Sequence, residues 1–135
     1  PSDMLQTRRI ATEDELRSIE GSRVRVASHS RTHQNLPALD EEALDDELGS
    51  SKSRLEALLG QTVEHFAFPS GDYDDRVVAR LHAAGYRWAW TTDPGLVRAA
   101  DLPYRIPRVV IDDRASDAVL AAKMSPWMHR LGVVH

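Results

Sequence analysis

The chain has 135 residues, of which 41% are apolar and 28% charged, with a formal net charge of −4 and no cysteine. These values predict one compact globular domain over residues 1–135 and exclude disulfides and thiolate metal sites. The acidic balance leaves no basic footprint for nucleic acid, and no segment approaches the ~18 apolar residues of a membrane span.

The beginning of the chain carries no targeting signal that the sequence reveals. No signal peptide opens it, and the lack of cysteine does not fix the compartment. The first residue is Pro1 rather than methionine, which is typical of a fragment or a processed form.

Capping residues and apolar periodicity predict four helices, over residues 12–21, 40–60, 74–85 and 116–124. A threonine, an aspartate or a serine stands at the start of each, and a glycine ends the first three. Residues 125–135 form a tail that the patterns leave unassigned.

Four short β-strands are predicted between these helices, over residues 24–26, 65–68, 86–91 and 108–111. The resulting order, α-β-α-β-α-β-β-α, indicates an α/β protein with a mainly parallel sheet. Proteins of that class place their functional sites at the carboxyl ends of the strands, so the segments that follow the strands are the candidate site.

Two histidines follow the first predicted strand at a spacing of four residues, His29 and His33. Imidazole is a common zinc ligand, and two rings one helical turn apart converge on one ion if the chain coils after His29. A pair of solvated turn histidines is the alternative. A Pro-Ser-Gly turn at residues 69–71 follows the next strand and predicts a second site segment on the same rim.

Two other groups of residues are explained without a ligand. The acidic run over residues 40–47 is interpreted as the solvated face of a helix. Trp88 and Trp90 lie on one face of a strand, where they fill the core or stack on a sugar ring; the core interpretation is favoured.

Several segments, taken in order, resemble the polysaccharide deacetylases of the NodB-homology type (carbohydrate esterase family 4). Residues 29–33 resemble the family's His-Ser/Thr-x-x-His motif, and residues 66–74 resemble its Pro-Tyr-Gly loop. Residues 51–60 are similar to the helix between those motifs, and residues 85–87 and 105–108 to later segments.

The resemblance implies a distorted (β/α) barrel and an activity that removes N- or O-acetyl groups from an acetylated polysaccharide or oligosaccharide. It also implies a divalent ion, most often zinc, held by an aspartate and two histidines, which here would be His29 and His33. The ion would polarise the acetyl carbonyl and lower the pKa of a bound water.

Further site residues follow from the same resemblance. The backbone N–H of Ser70 would be the oxyanion donor, in a loop shaped by Pro69 and Gly71. Tyr73 and Arg108, which lie in the similar segments, are candidates for contact with the substrate, and Asp93 is a third candidate because it follows a strand and faces the same rim. For Asp93 a turn-forming role is equally expected, and for Arg108 a place on the surface of a strand.

The chain also departs from the family pattern, since no Thr-Phe-Asp-Asp-Gly motif precedes the histidines. That motif supplies the catalytic base and the third ligand, and neither Asp3 nor Asp14 lies in such a setting. We therefore expect a partial barrel that lacks its first strand or strands and has little activity. The alternative is a non-catalytic carbohydrate-binding or assembly module. An open sheet edge also predicts self-association, unless another segment covers it.

Overall fold

A computed structural model describes residues 10–20, 23–98, 103–109, 111 and 116–125. Within these ranges the chain forms four helices and two strands, in the order α1 (Glu13–Ile19), α2 (Glu41–Leu59), β1 (His65–Ala67), α3 (Asp75–Ala83), β2 (Trp88–Trp90) and α4 (Asp117–Met124). Short 3₁₀ turns lie at Leu36–Ala38 and Pro69–Gly71. None of the helices described is long and apolar enough to cross a bilayer.

The helix starts are where the capping residues predict them. The side chains of Thr12, Asp40, Asp74 and Ser116 each accept a hydrogen bond from a backbone N–H in the first turn of the helix that follows. These bonds satisfy donors that the helix itself leaves without a partner. Helix α2 ends at Gly60, in the left-handed conformation with φ of 69°. The glycine expected to end α1 lies outside the described residues.

The sheet is parallel, as the alternation of strands and helices predicts. Strands β1 and β2 pair in parallel, with Phe66 opposite Ala89. A single parallel bridge joins Ser28 to Phe66 on one side, and another joins Trp90 to Ile106 on the other. The chain is therefore a mixed α/β structure with a small, open parallel sheet, as expected for part of a NodB-type barrel.

Two predicted strands do not form as expected. No strand forms over residues 24–26: Val24 makes an isolated parallel bridge with Glu20, and Val26 donates its backbone N–H to the Glu20 carboxylate. The chain joins the sheet only at the next bridge, at Ser28. The strand predicted over residues 108–111 is not assigned at the residues of that range that are described, and pairing occurs earlier, at Ile106. Strand pairing depends on a distant partner, which local alternation does not reveal.

The core lies between the sheet and the helices α2 and α3. Phe66 and Ala89 contribute from the sheet, and Leu44, Leu48, Val77 and Leu81 from the helices; all are fully buried. The core interpretation of the two tryptophans is wrong. Ala89 occupies the core, whereas Trp88 and Trp90 are half-buried on the opposite face and stack with His65.

Candidate functional site

The turn that carries the two histidines begins where the chain leaves the sheet. Ser28 is buried and bonded on both sides of Phe66, through its N–H to the His65 carbonyl and through its carbonyl to the Ala67 N–H. The next residue, His29, therefore emerges at the carboxyl end of β1. That is the rim where parallel α/β proteins place their sites.

The two imidazole rings converge, although not by the helical route that the sequence suggested. Residues 29–35 form no helix; instead Ser30 and His33 have left-handed φ values of 64° and 61°. The Ser30 hydroxyl accepts the His33 N–H at 3.0 Å. The ring centroids lie 4.9 Å apart with the planes at 74°, which places both rings at one exposed point of the rim.

The hydrogen bond of His29 determines which ring nitrogen can act as a ligand. Its Nδ1 lies 2.7 Å from the Ala67 carbonyl oxygen. A carbonyl can only accept, so Nδ1 carries a proton, and in the neutral form of the ring Nε2 then has the free lone pair. A backbone carbonyl bonded to the distal nitrogen is the usual support of a metal-binding histidine.

Glu47 of α2 accepts hydrogen bonds from the histidine turn, and the sequence interpretation missed this residue as part of the site. The sequence interpretation assigned Glu47 to a solvated face with the rest of the acidic run, but the residue is buried, with only 3% of its surface exposed. The helical periodicity does contain the signal. Glu47 stands with Leu44, Leu48 and Ser51 at the spacing of one helix face, and all four residues are buried.

The carboxylate of Glu47 is ionised because the turn surrounds it with donors. Burial alone would raise its pKa, but hydrogen bonds from the Thr32 hydroxyl and from the backbone N–H groups of Thr32 and Arg31 outweigh burial and lower the pKa below its ordinary value. Charge-assisted bonds of this kind are stronger than bonds between neutral groups.

The Pro69–Gly71 turn lies on the same rim, directly after β1. Ser70 is exposed and has a left-handed φ of 56°, while Pro69 is buried. In a longer 3₁₀ turn the Ser70 N–H would donate to the Ala67 carbonyl, but that carbonyl accepts a hydrogen bond from His29 instead. Within the described part of the chain, no hydrogen bond occupies the Ser70 N–H, so it is available to a ligand.

The remaining predicted site residues lie at the carboxyl end of β2, next to that turn. The Tyr73 hydroxyl donates to the Asp93 carboxylate at 2.6 Å, and this bond, together with burial, raises the pKa of Tyr73. Arg108 is half-buried, and its Nε donates to the Thr91 carbonyl at 2.7 Å. These bonds fix both side chains at the rim, and Asp93 has a specific partner beyond the turn expected of it.

The donor set fits a metal ion only in part. His29 and His33 offer two nitrogen ligands, but the described residues contain no group of three or more His, Cys, Asp or Glu side chains that could hold an ion. Asp14 does not supply a third, since its exposed carboxylate pairs with Arg17 at 2.8 Å in the first turns of α1. Asp3 lies outside the described residues.

Comparison with known proteins identifies the class. The sequence model of the polysaccharide deacetylase family matches residues 4–89. The Bacillus subtilis (strain 168) protein YxkH, whose assignment as a polysaccharide deacetylase is provisional, is 22% identical over 111 residues, which are 82% of this chain and 40% of YxkH.

Two solved structures share the fold. The Streptococcus pyogenes deacetylase PplD, in complex with acetate, superposes with a TM-score of 0.80 at 23% identity, over 91% of this chain and 54% of PplD. The Bacillus cereus polysaccharide deacetylase BC0361 gives a TM-score of 0.75 at 27% identity, over 88% of this chain and 38% of that protein.

The fold and the rim define a parallel α/β domain of the NodB type. The chain belongs to the polysaccharide deacetylase family, because the family model covers well over half of it. It spans 40% of the length of YxkH and 54% and 38% of the two solved structures.

Proposed function

We propose that this chain is the histidine-bearing part of a metal-dependent deacetylase that removes acetyl groups from a carbohydrate polymer. The observation that carries the proposal is the His29 imidazole, whose Nδ1 is bonded to the Ala67 carbonyl while its ring lies 4.9 Å from that of His33. The family membership supplies the substrate class, an acetylated polysaccharide or oligosaccharide.

Each part of the rim has a role in this reaction. A divalent ion, most often zinc in such nitrogen-rich sites, would polarise the acetyl carbonyl and acidify a bound water. The Ser70 N–H would donate to the oxygen of the acetyl group as it gains charge, and Pro69 and Gly71 hold that donor in place. Tyr73, Asp93 and Arg108 would line the adjoining part of the rim, where the polymer would lie.

The incomplete set of metal ligands implies low catalytic activity for these 135 residues alone. The described residues offer no third side chain that could join the two histidines at an ion, and the sequence lacks the Thr-Phe-Asp-Asp-Gly motif that supplies the family's catalytic base. The loss of a general base alone typically lowers the rate by about 10²–10⁴. We infer that these 135 residues bind the ion weakly and turn over slowly, and an acetyl-release assay above ~1 s⁻¹ would contradict this.

Zinc calorimetry tests the metal site. We expect one ion per chain, with binding abolished in His29→Ala and in His33→Ala, because each variant leaves a single imidazole. His82→Ala is the matched control, since His82 is an exposed histidine on α3. The absence of zinc binding to the unmodified chain, or equal binding by all three variants, would contradict the proposal.

A non-catalytic carbohydrate-binding or assembly module is the second candidate. The incomplete donor set favours it, and so does the half-buried pair Trp88 and Trp90, which has aromatic faces that could stack on sugars. This function predicts saccharide binding that is the same with zinc and with a chelator. Binding or turnover that requires zinc favours the deacetylase.

A further inference from the structure

Glu47 is a buried carboxylate with an unusual surrounding. It lies on α2 next to Leu48 and one turn after Leu44, both of them fully buried, and its own residue is 3% exposed. A carboxylate in such a position is destabilising unless donors compensate for the lost water. No ion pair to Glu47 is found among the described residues, so hydrogen bonds must supply that compensation.

The donors to Glu47 that are found in the described part of the chain all come from the loop that carries the two histidines. The backbone N–H groups of Arg31 and Thr32 donate to Oε2 at 2.9 and 2.8 Å. The Thr32 hydroxyl donates to Oε1, and the Gln34 side-chain amide lies 3.5 Å from the same oxygen. One side chain therefore contacts three positions of the loop, residues 31, 32 and 34.

The turn needs such support because its backbone is strained. Ser30 and His33 both have left-handed φ values, which are unfavourable for a residue with a Cβ atom. Strained residues persist where their surroundings fix them. The bonds from Glu47 act on the two residues between Ser30 and His33 that are not strained, and they hold the loop in the form that brings the imidazoles together.

We propose that Glu47 is a positioning residue that sets the spacing of His29 and His33 before any ion binds. The proposal rests on the proposed metal site for its purpose, but the preorganisation exists in the metal-free chain. The hydrogen bonds found for Glu47 in the described residues go to the loop and not to either imidazole, so Glu47 would act through the loop.

Two measurements test it, one of which needs no metal. The first is the nuclear Overhauser effect between the ring protons of His29 and His33 in the metal-free chain. The second is the zinc dissociation constant from calorimetry. In Glu47→Ala we expect the Overhauser effect to disappear and zinc to bind about 10–100-fold more weakly, the usual consequence of losing a supporting residue around a metal ligand.

The variants separate positioning from general stability. Glu47→Gln keeps a carbonyl oxygen that can accept both backbone N–H groups, so it should retain the Overhauser effect and most of the affinity. Glu42→Ala removes an exposed carboxylate from the same helix and should change neither measurement. If Glu47→Ala does not fold, Thr32→Ala decides, because it removes one bond to Oε1 and should weaken the Overhauser effect by itself.

The outcomes keep this inference apart from the proposed function. Loss of the Overhauser effect in Glu47→Ala without zinc binding to the unmodified chain would sustain the positioning role and reject the metal site. An unchanged Overhauser effect in folded Glu47→Ala, or in folded Thr32→Ala where Glu47→Ala is unfolded, would overturn the positioning role whatever zinc does. Equal effects of Glu47→Ala and Glu42→Ala would overturn it too.

Discussion

Gly71 is the residue of the Pro-Ser-Gly turn for which the structure leaves no room for a side chain. A Cβ atom there would lie 1.8 Å from Oγ1 and 2.8 Å from Cβ of Thr92, and its φ is +82°. The turn that carries the Ser70 N–H therefore packs directly against the loop that leads from β2 to Asp93. Contact between these two segments keeps the predicted oxyanion donor next to the predicted substrate residues.

We predict that Gly71→Ala destabilises the protein more than Gly60→Ala does. Gly60 also has a left-handed φ, of +69°, but nothing lies within 4 Å of its would-be Cβ. Both variants suffer the backbone strain of roughly 1–2 kcal/mol, and only Gly71→Ala adds the steric clash, typically about 1–3 kcal/mol. Urea unfolding of the two variants measures the difference. Adding Thr92→Ala should restore part of it, and equal losses in both single variants would rule out the clash.

At the residue scale, the sequence predicted which residues carry the site motifs more reliably than it predicted which residues are buried. The spacing of His29 and His33 and the Pro-Ser-Gly turn are short local patterns, and the structure brings both segments to one rim. Glu47 was hidden because an acidic residue among other acidic residues resembles a solvated face, and only its helical position marks it as buried. The bond from His29 to Ala67 joins residues 38 positions apart, which no local pattern could predict.

At the scale of elements, helices were predictable and strands less so. Capping and apolar periodicity act within a few residues, and all four predicted helix starts are confirmed. The strands β1 and β2 were also confirmed, with their bounds shortened to three residues each. The pairing of Ser28 and of Ile106 depends on partners far away in the chain, and there the predicted strand ranges failed.

The caps of α1 and α2 should differ in their consequences for stability. Asp40 caps α2, which contributes Leu44 and Leu48 to the core, whereas α1 has no buried residue. We therefore predict that Asp40→Ala lowers the free energy of unfolding by about 1 kcal/mol. Thr12→Ala loses the bonds of the Thr12 hydroxyl but keeps the backbone N–H bond to the Glu15 carboxylate. It should mainly speed local amide exchange in α1, since a weakly packed helix opens separately.

Urea unfolding and hydrogen exchange of the two cap variants distinguish local from global effects. An equal loss of global stability in both variants would show that α1 is an integral part of the cooperative unit. Such a result would contradict the assignment of the core to the sheet, α2 and α3.

At the scale of the whole molecule, the sheet has one covered face and one that is only partly covered. Phe66 and Ala89 are fully buried against the helical side. On the opposite face His65, Trp88 and Trp90 are half-buried, and each tryptophan stacks on His65. Among the described residues these three rings make no other ring contact. Half-covered aromatic surface beside a short, open sheet is typical of a surface that associates.

We predict that the chain by itself forms dimers or larger species through this face. The net charge of −4 is too small to prevent association, and because the contact is apolar, added salt should not weaken it. Sedimentation velocity over a range of concentrations measures the effect. Trp88→Ser should shift the distribution toward the monomer, whereas Val119→Ser, at an exposed position of α4, should not. A monodisperse monomer of the unmodified chain would contradict this prediction. It would show that the half-covered aromatic face is stable in water without a partner.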